Sequence, residues 1–251
     1  MIDIIDHGTV RELRLNRPPV NALSPDLIPA ITRSVDQAAK QGARALVLSG
    51  SPGRFCGGLD LPLLMTLDRN AISALWRDFY SMMCVLAACP IPLAAAITGH
   101  APAGGTVLTL FADHRIAPEG DWKLGLNEVQ VGLALPPVIF LALRRIVGSR
   151  QAERLAVSGL LISPQESLRI GLVDEIVPPD QVIDRAIAWC QGTIALPDGA
   201  MISTRQQARA DLVKLFEHSF ANELEDVSEM WWDDETQAVL RAVAAKLGKK
   251  S

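Results

Sequence analysis

The stretch LAAAITGHAPAGGTVLTLFADHRIA, residues 93–117, constrains the fold more than any other part of the chain. It opens on a run of small apolar residues ending at Ile97, turns through Gly99, and starts a helix at Gly104-Gly105 that stays apolar to about Ala112. It then returns as an extended run from His114 to Ala117. Neither the helix nor the first strand carries a polar face to present to water, so both belong in an interior. Alternation of this kind is the signature of an α/β fold, and the flanking sequence continues it. Val10 to Leu15 reads as a strand that Asn16-Arg17-Pro18-Pro19 ends, because prolines cannot continue a ladder. Ser24-Pro25 supplies an N-cap and a first-turn proline, Leu27, Ile31 and Val35 recur at helical spacing, and Gly42 stops that helix. Ala43 to Leu48 is a short buried-type strand running into the turn SPGRFCGG.

A longer helix is expected from about Arg69 to Ala88, closed by Pro90 and Pro92, with further helices at about 137–147, 149–158 and 163–170 and a strand at Leu172–Val177. Past Pro197 the pattern is helical only, and Trp231-Trp232 interrupts a charged surface. Such an appendage packs either on its own core or on another subunit. The chain therefore divides into a core, 1–196, and a C-terminal helical region, 197–251.

Two turns could present backbone donors: Phe55-Cys56-Gly57-Gly58-Leu59-Asp60-Leu61 after a strand, and Gly99-His100-Ala101-Pro102-Ala103-Gly104-Gly105 before a helix. Glycine allows positive φ and close approach to N–H groups, and the start of a helix favours negative charge. No Lys-Ser/Thr follows the glycines and the G-x-G-x-x-G spacing is absent, so neither turn is a nucleotide cradle. The third feature is GLNEVQVGL, residues 125–133. Glu128 stands there among Leu124, Leu126, Val129, Val131 and Leu133, all of which look destined for the interior. Acidic groups are almost never fully buried without a partner, so Glu128 either points outward or works.

Composition removes other classes. A net charge of −4 offers no general attraction to nucleic acid or anionic membrane, and Arg144-Arg145 and Lys249-Lys250 read as solvated charges. Cys56, Cys84, Cys89 and Cys190 form no C-x-x-C pair, which suits a reducing cytosol. The start, MIDIIDHGTV, lacks the basic residues of a targeting segment and no apolar run is long enough to span a membrane, so a cytoplasmic protein is expected. His7, His100, His114 and His218 form no metal-binding pattern and no serine sits in G-x-S-x-G; no metal is expected.

Taken in order, NRPPVNALS (16–24), RFCGGLDL (54–61), ITGHAPAGGTVLTLFADHRIA (97–117), GLNEVQVGL (125–133) and GLVDEIVPPDQV (171–182) resemble the crotonase (enoyl-CoA hydratase/isomerase) superfamily along nearly the whole chain. Gly-Leu-Asp-Leu, Pro-Ala-Gly-Gly and Leu-Asn-Glu-x-Gln-x-Gly are most similar to its monofunctional 3,2-trans-enoyl-CoA isomerases. The resemblance implies a ββα spiral core with a C-terminal helical trimerisation region. It implies that the N–H groups of Leu59 and Gly104 hold a thioester oxygen, that Glu128 moves a proton from C2 to C4, and that CoA belongs to the substrate, with no separate cofactor. Val20, Ala22, Leu23, Gly57, Gly58, Asp60 and Leu61 would accompany the CoA, Asn127 would line the acyl pocket, and Lys246 or Lys249 would approach the CoA phosphates. The assembly implied is a homotrimer or a dimer of trimers.

Two departures stand out. The second glutamate of the hydratases, three residues after the second donor, is Val107 here, which can neither orient nor deprotonate water. Gly57 replaces a usual alanine, which should loosen its turn slightly. Another one-glutamate acyl-CoA reaction (hydration, thioester hydrolysis, decarboxylation) or a silent CoA-binding homologue would carry the same motifs.

Overall fold

The computed structural model describes residues 1–217 and 221–248. A six-stranded sheet is formed by β1 (Ile2–His7), β2 (Val10–Leu15), β3 (Ala45–Ser49), and, after a short strand β4 (Gly53–Arg54), by β5 (Leu93–Ala96), with β6 (Gly99–Pro102) leaving it again. The strands β7 (His114–Pro118), β8 (Leu124–Gly125) and β9 (Glu175–Val177) complete the set. The large sheet runs β1-β2-β3-β5-β7-β9 and a small one runs β4-β6-β8. Only the β1–β2 hairpin is antiparallel. Each of β3, β5 and β7 is thus followed at once by a strand of the second sheet, so successive turns of the chain wind through both and form a spiral.

Side chains of β3 show the period-two split that makes this sheet an inner layer. Ala45 and Val47 pack with Ala94 and Ala96 under the helix Val182–Ile194, while Leu46 and Leu48 face the main core. That main core is closed by α1 (Leu27–Lys40) and, beyond the short α2 (Leu61–Leu64), by α3 (Arg69–Ala87). The apolar helix expected after Gly104 is α4 (Gly104–Leu110), whose residues are all buried. The stretch 137–158 is assigned as one helix, α5 (Pro137–Ser158), but Gly148 (φ 76°, ψ 162°) breaks its geometry at the junction between the two expected helices. Ser163 caps α6 (Pro164–Arg169) through its hydroxyl.

Sequence and structure differ at three places. β1 follows no clear alternation and owes its existence to pairing with β2. The helix Val182–Ile194, α7, escapes the sequence reading because it follows a proline-rich connection without a side-chain cap. The last strand is three residues long, since the N–H groups of Leu172 and Val173 go to Ser167 of α6 and that of Asp174 reaches Arg115 alone.

The C-terminal helices α8 (Asp198–Lys214), α9 (Ala221–Trp231) and α10 (Asp234–Gly248) fold back on their own chain. Arg69, Ser73 and Trp76 on one stripe of α3 meet Glu229, Ser228 and Trp231 of α9, with the two indole rings edge to face at 6.4 Å. Trp231 is buried there, which accounts for an aromatic in a charged stretch. No helix among the described residues is long and apolar enough to cross a membrane. His218, Lys249 and Lys250 lie outside the described residues.

Candidate functional site

The two glycine turns lie against each other. In the first, Leu23 N–H donates to the Gly58 carbonyl (2.8 Å) and Asp60 N–H to the Leu23 carbonyl (2.9 Å). Along an extended backbone, alternate N–H groups point to opposite sides. Leu59, between the two residues that bond Leu23, therefore directs its own N–H away from it. In the second turn Ala103 adopts φ 47° and Gly104 is the first residue of α4, where a helix has no internal acceptor for its N–H. The turns need their glycines. Gly58 has φ +84°, and a Cβ on Gly105 would sit 2.3 Å from the Cys56 carbonyl oxygen. A Cβ on Gly58 would lie 3.5 Å from the Gly104 nitrogen, so the two donor peptides are near neighbours.

Both donors line one cavity of about 280 Å³, and Glu128 and Asn127 line it too. Glu128 opens a single 3₁₀ turn, Glu128–Val131, closed by the left-handed Gly132. The path to it is set by Thr106. Its buried hydroxyl donates to the Ala101 carbonyl (2.6 Å) and accepts from Gly125 N–H (2.8 Å), tying α4 to the strand that delivers Glu128. The tight turn also corrects one expectation. Leu124, Leu126 and Leu133 are buried and Val131 faces the cavity, but Val129 is 40% exposed, because three residues per turn rotate it away from the core.

Two glutamates, one fully buried and one with a buried carboxylate oxygen, show what is unusual here. Glu12 on β2 is fully buried; burial pushes its carboxyl up, but hydrogen bonds from Arg14, Ser49 and His7 outweigh that and hold it below the usual range. Oε2 of Glu128 is equally inaccessible and has no partner, and Oδ1 of the adjacent residue Asn127 has none either. Burial pushes Glu128 up to about 7, opposed only by a hydrogen bond from its own backbone. An unpaired buried polar atom costs about 1–3 kcal/mol. Three residues lining one cavity carry such atoms, the third being Trp76 through Nε1, and such a concentration is a mark of a working site. The carboxyl can therefore both take and return a proton near neutrality, in the same cavity as peptide donors suited to a developing oxyanion.

The remaining walls are largely apolar: Leu61, Trp76 and Phe79 from α2 and α3, Leu133 before α5 and Ile139 within it, and Val243 from α10. Their contribution is invisible in local sequence, because they belong to elements brought together only by packing. Val107 is buried and does not line the cavity, and among the described residues Glu128 is the sole ionisable side chain that does. Among the other sequence candidates, Ala22 and Leu23 are buried behind the first turn, and Gly58 shapes it. Asp60 caps α2 at Leu63 N–H and pairs with Arg17 (2.7 Å). Val20 lies in an adjoining outer groove with Arg54, His100 and Trp122, which shares Gly57 and Pro102 with the cavity. His100 there is exposed and accepts from Lys123 N–H, and Asp113 binds Arg205 and Arg209, away from the cavity. Lys246 is exposed on α10. No cluster among the described residues is arranged to hold a metal.

Gly57 does not loosen its turn. A Cβ there would stand 2.9 Å from Val20 Cγ2, so the glycine makes room for a β-branched neighbour with few rotamers. Gly57→Ala is expected to lower stability by about 1–3 kcal/mol through overpacking. In the double variant with Val20→Ala most of that loss should return; urea denaturation of the four proteins measures it, and strict additivity would show that the two sites are independent.

The sequence profile described as enoyl-CoA hydratase/isomerase matches residues 6–241. Mouse mitochondrial enoyl-CoA delta isomerase 1 is 32% identical over 96% of this chain and 84% of its own length. The probable enoyl-CoA hydratase echA17 of Mycobacterium avium is 34% identical over 77% of this chain and 75% of its own. The crystal structure of human mitochondrial delta3-delta2-enoyl-CoA isomerase superimposes with a TM-score of 0.94 at 27% identity, covering 100% of this chain and 99% of that one. With the glycine turns, the buried glutamate and the spiral core in place, this chain belongs to the enoyl-CoA hydratase/isomerase family.

Proposed function

We propose that this protein is an isomerase that converts 3-enoyl-CoA to trans-2-enoyl-CoA with Glu128 as its single acid and base. The observation that carries the reading is that Glu128 alone among the described ionisable side chains lines a largely apolar cavity bordered by Leu59 and Gly104. The thioester oxygen accepts hydrogen bonds from the Leu59 and Gly104 N–H groups. The Glu128 carboxylate removes a proton from C2, and the electron pair spreads through a dienolate onto that oxygen. The carboxylic acid so formed returns the proton to C4, leaving the double bond between C2 and C3 and the enzyme unchanged. Each oxyanion donor is worth about 3–4 kcal/mol in such a step. Hydration needs a second group to hold water, and Val107 offers none.

The CoA end would lie over Val20 and the Gly57–Leu61 turn, with the outer groove beside Arg54 and Trp122 giving the nucleotide room, and no cofactor would be needed. A homotrimer or a dimer of trimers in the cytoplasm, with residues 197–251 contributing to assembly, completes the reading. The test is incubation of the purified protein with short and medium 3-enoyl-CoA esters while 2-enoyl-CoA, 3-hydroxyacyl-CoA and free CoA are followed together. Mainly 2-enoyl-CoA is expected. Dominant 3-hydroxyacyl-CoA would indicate a hydratase and stoichiometric free CoA a thioesterase. Loss of carbon dioxide from a carboxylated ester would indicate a decarboxylase, and binding without turnover a silent homologue.

A further inference from the structure

The turn that carries Glu128 is too short to hold itself: it contains four residues and ends on a glycine in the left-handed region. Its rigidity must come from what grips it. On one side Gln130 donates to the Gly159 carbonyl (2.8 Å) at the end of α5. On the other the grip comes from α10. The Thr236 hydroxyl, on a residue only 5% exposed, donates to the Gly132 carbonyl at 3.0 Å. The bare face of Gly132 lies directly on α10: a Cβ there would be 3.3 Å from Val239 Cβ and 3.4 Å from Thr236 Cα. One turn further along the same helix, Val243 forms part of the cavity wall. The start of α10 is itself anchored, since buried Gln237 donates to the Trp231 carbonyl (2.7 Å). The C-terminal helix thus touches the back of the turn and the wall of the cavity at once.

We infer that Thr236 is a positioning residue, which acts through Gly132 to hold the Glu128 carboxyl in its apolar place facing the two peptide donors. This rests on the proposed role of Glu128. Thr236 touches no part of the cavity, so it neither binds substrate nor transfers a proton. It sets where the carboxyl sits, and rates depend steeply on such placement, a shift of about 1 Å costing up to about 100-fold. The clamp also makes α10 part of the active site of its own chain.

Thr236→Val keeps the shape and removes the hydroxyl, and Thr236→Ser keeps the hydroxyl. In Thr236→Val, kcat should fall about 10-fold or more while KM changes less than about twofold. Thr236→Ser should restore kcat to within about twofold of the wild type. A second readout does not depend on turnover. With glutamate labelled at the carboxyl carbon and the Glu128 signal assigned by its absence in Glu128→Gln, the titration of Glu128 can be followed directly by NMR. In Thr236→Val its midpoint should move down toward ordinary carboxylate values as the turn loosens and water reaches it, and in Thr236→Ser it should stay. The inference is overturned if Thr236→Val titrates and turns over like the wild type, or if Thr236→Ser is as impaired as the valine variant. If the wild type makes no 2-enoyl-CoA, the isomerase reading fails, and the titration still decides whether Thr236 positions the carboxyl.

Discussion

Glu128→Gln is expected to lose isomerisation by about 10⁴-fold, the upper end of what a well-placed proton-transfer group supplies, because no other ionisable side chain among the described residues lines the cavity. Substrate binding should change little, since the amide fills the same space and the peptide donors remain. In the wild type, activity should rise with pH to a plateau above about 7, following ionisation of the carboxyl. The same substitution should move stability in the opposite direction. Burial raises the folded-state value of Glu128 from 4.5 to about 7, so the folded protein holds a proton that the unfolded chain has released between those values. The contribution of Glu128 to stability is present in full below about pH 4.5 and is lost as pH rises through about 7. At pH 8 Glu128→Gln should therefore be more stable than the wild type by about 3 kcal/mol, and the difference should close toward pH 4.5. Urea denaturation at the two pH values tests this. An inactive but destabilised variant would mean that Glu128 serves the fold.

The second large effect lies away from the cavity. Arg209 on α8 is 6% exposed and donates to Asp113 (2.9 Å) and to the carbonyls of Leu86 (3.1 Å), Ala87 (3.0 Å) and Phe111 (2.8 Å). Those carbonyls end α3 and α4, where helices leave acceptors unfilled and a cation is favoured. Asp113 also accepts from Leu93 N–H and Arg205, so one guanidinium joins two helix ends to a strand of the large sheet. Arg209→Ala should cost about 3–5 kcal/mol, as removal of one partner from a buried charged network does. The midpoint of thermal unfolding should fall by about 10 °C. Arg209→Lys should recover only part of this, because an ammonium cannot serve several acceptors through a planar fork. kcat measured well below the transition should be unchanged, which separates this variant from Glu128→Gln. A loss under about 1 kcal/mol would show that water replaces the guanidinium in this network.

The chain's own order of residues already determined a good deal. Local signals placed β2, β3, β5, α4 and β7, because apolar runs and glycine or proline stops act within a few residues. They also singled out the two donor turns and Glu128, since a glycine pair at a strand end and a lone acid in an apolar stretch are anomalies visible without a neighbour. Whether that acid was paired was not a local matter. Glu12 stands out in no local pattern and is buried with three partners, whereas Glu128 has none on Oε2, and only the assembled structure distinguishes them.

The same limit applied to Gly57, which is read alone as a looser turn and read beside Val20 as a fitted one. It applied most to the walls and the clamp. Trp76 and Phe79 come from α3, Val243 and Thr236 from α10, and nothing in their spacing says that they converge on Glu128. Sequence by itself determined several of the core strands and helices and marked the candidate groups, because propensity, turn geometry and the cost of a buried charge are properties of short segments. Tertiary structure alone decided the cavity's shape, the isolation of its carboxyl and the helix that steadies it, because these depend on contacts between segments far apart in the chain.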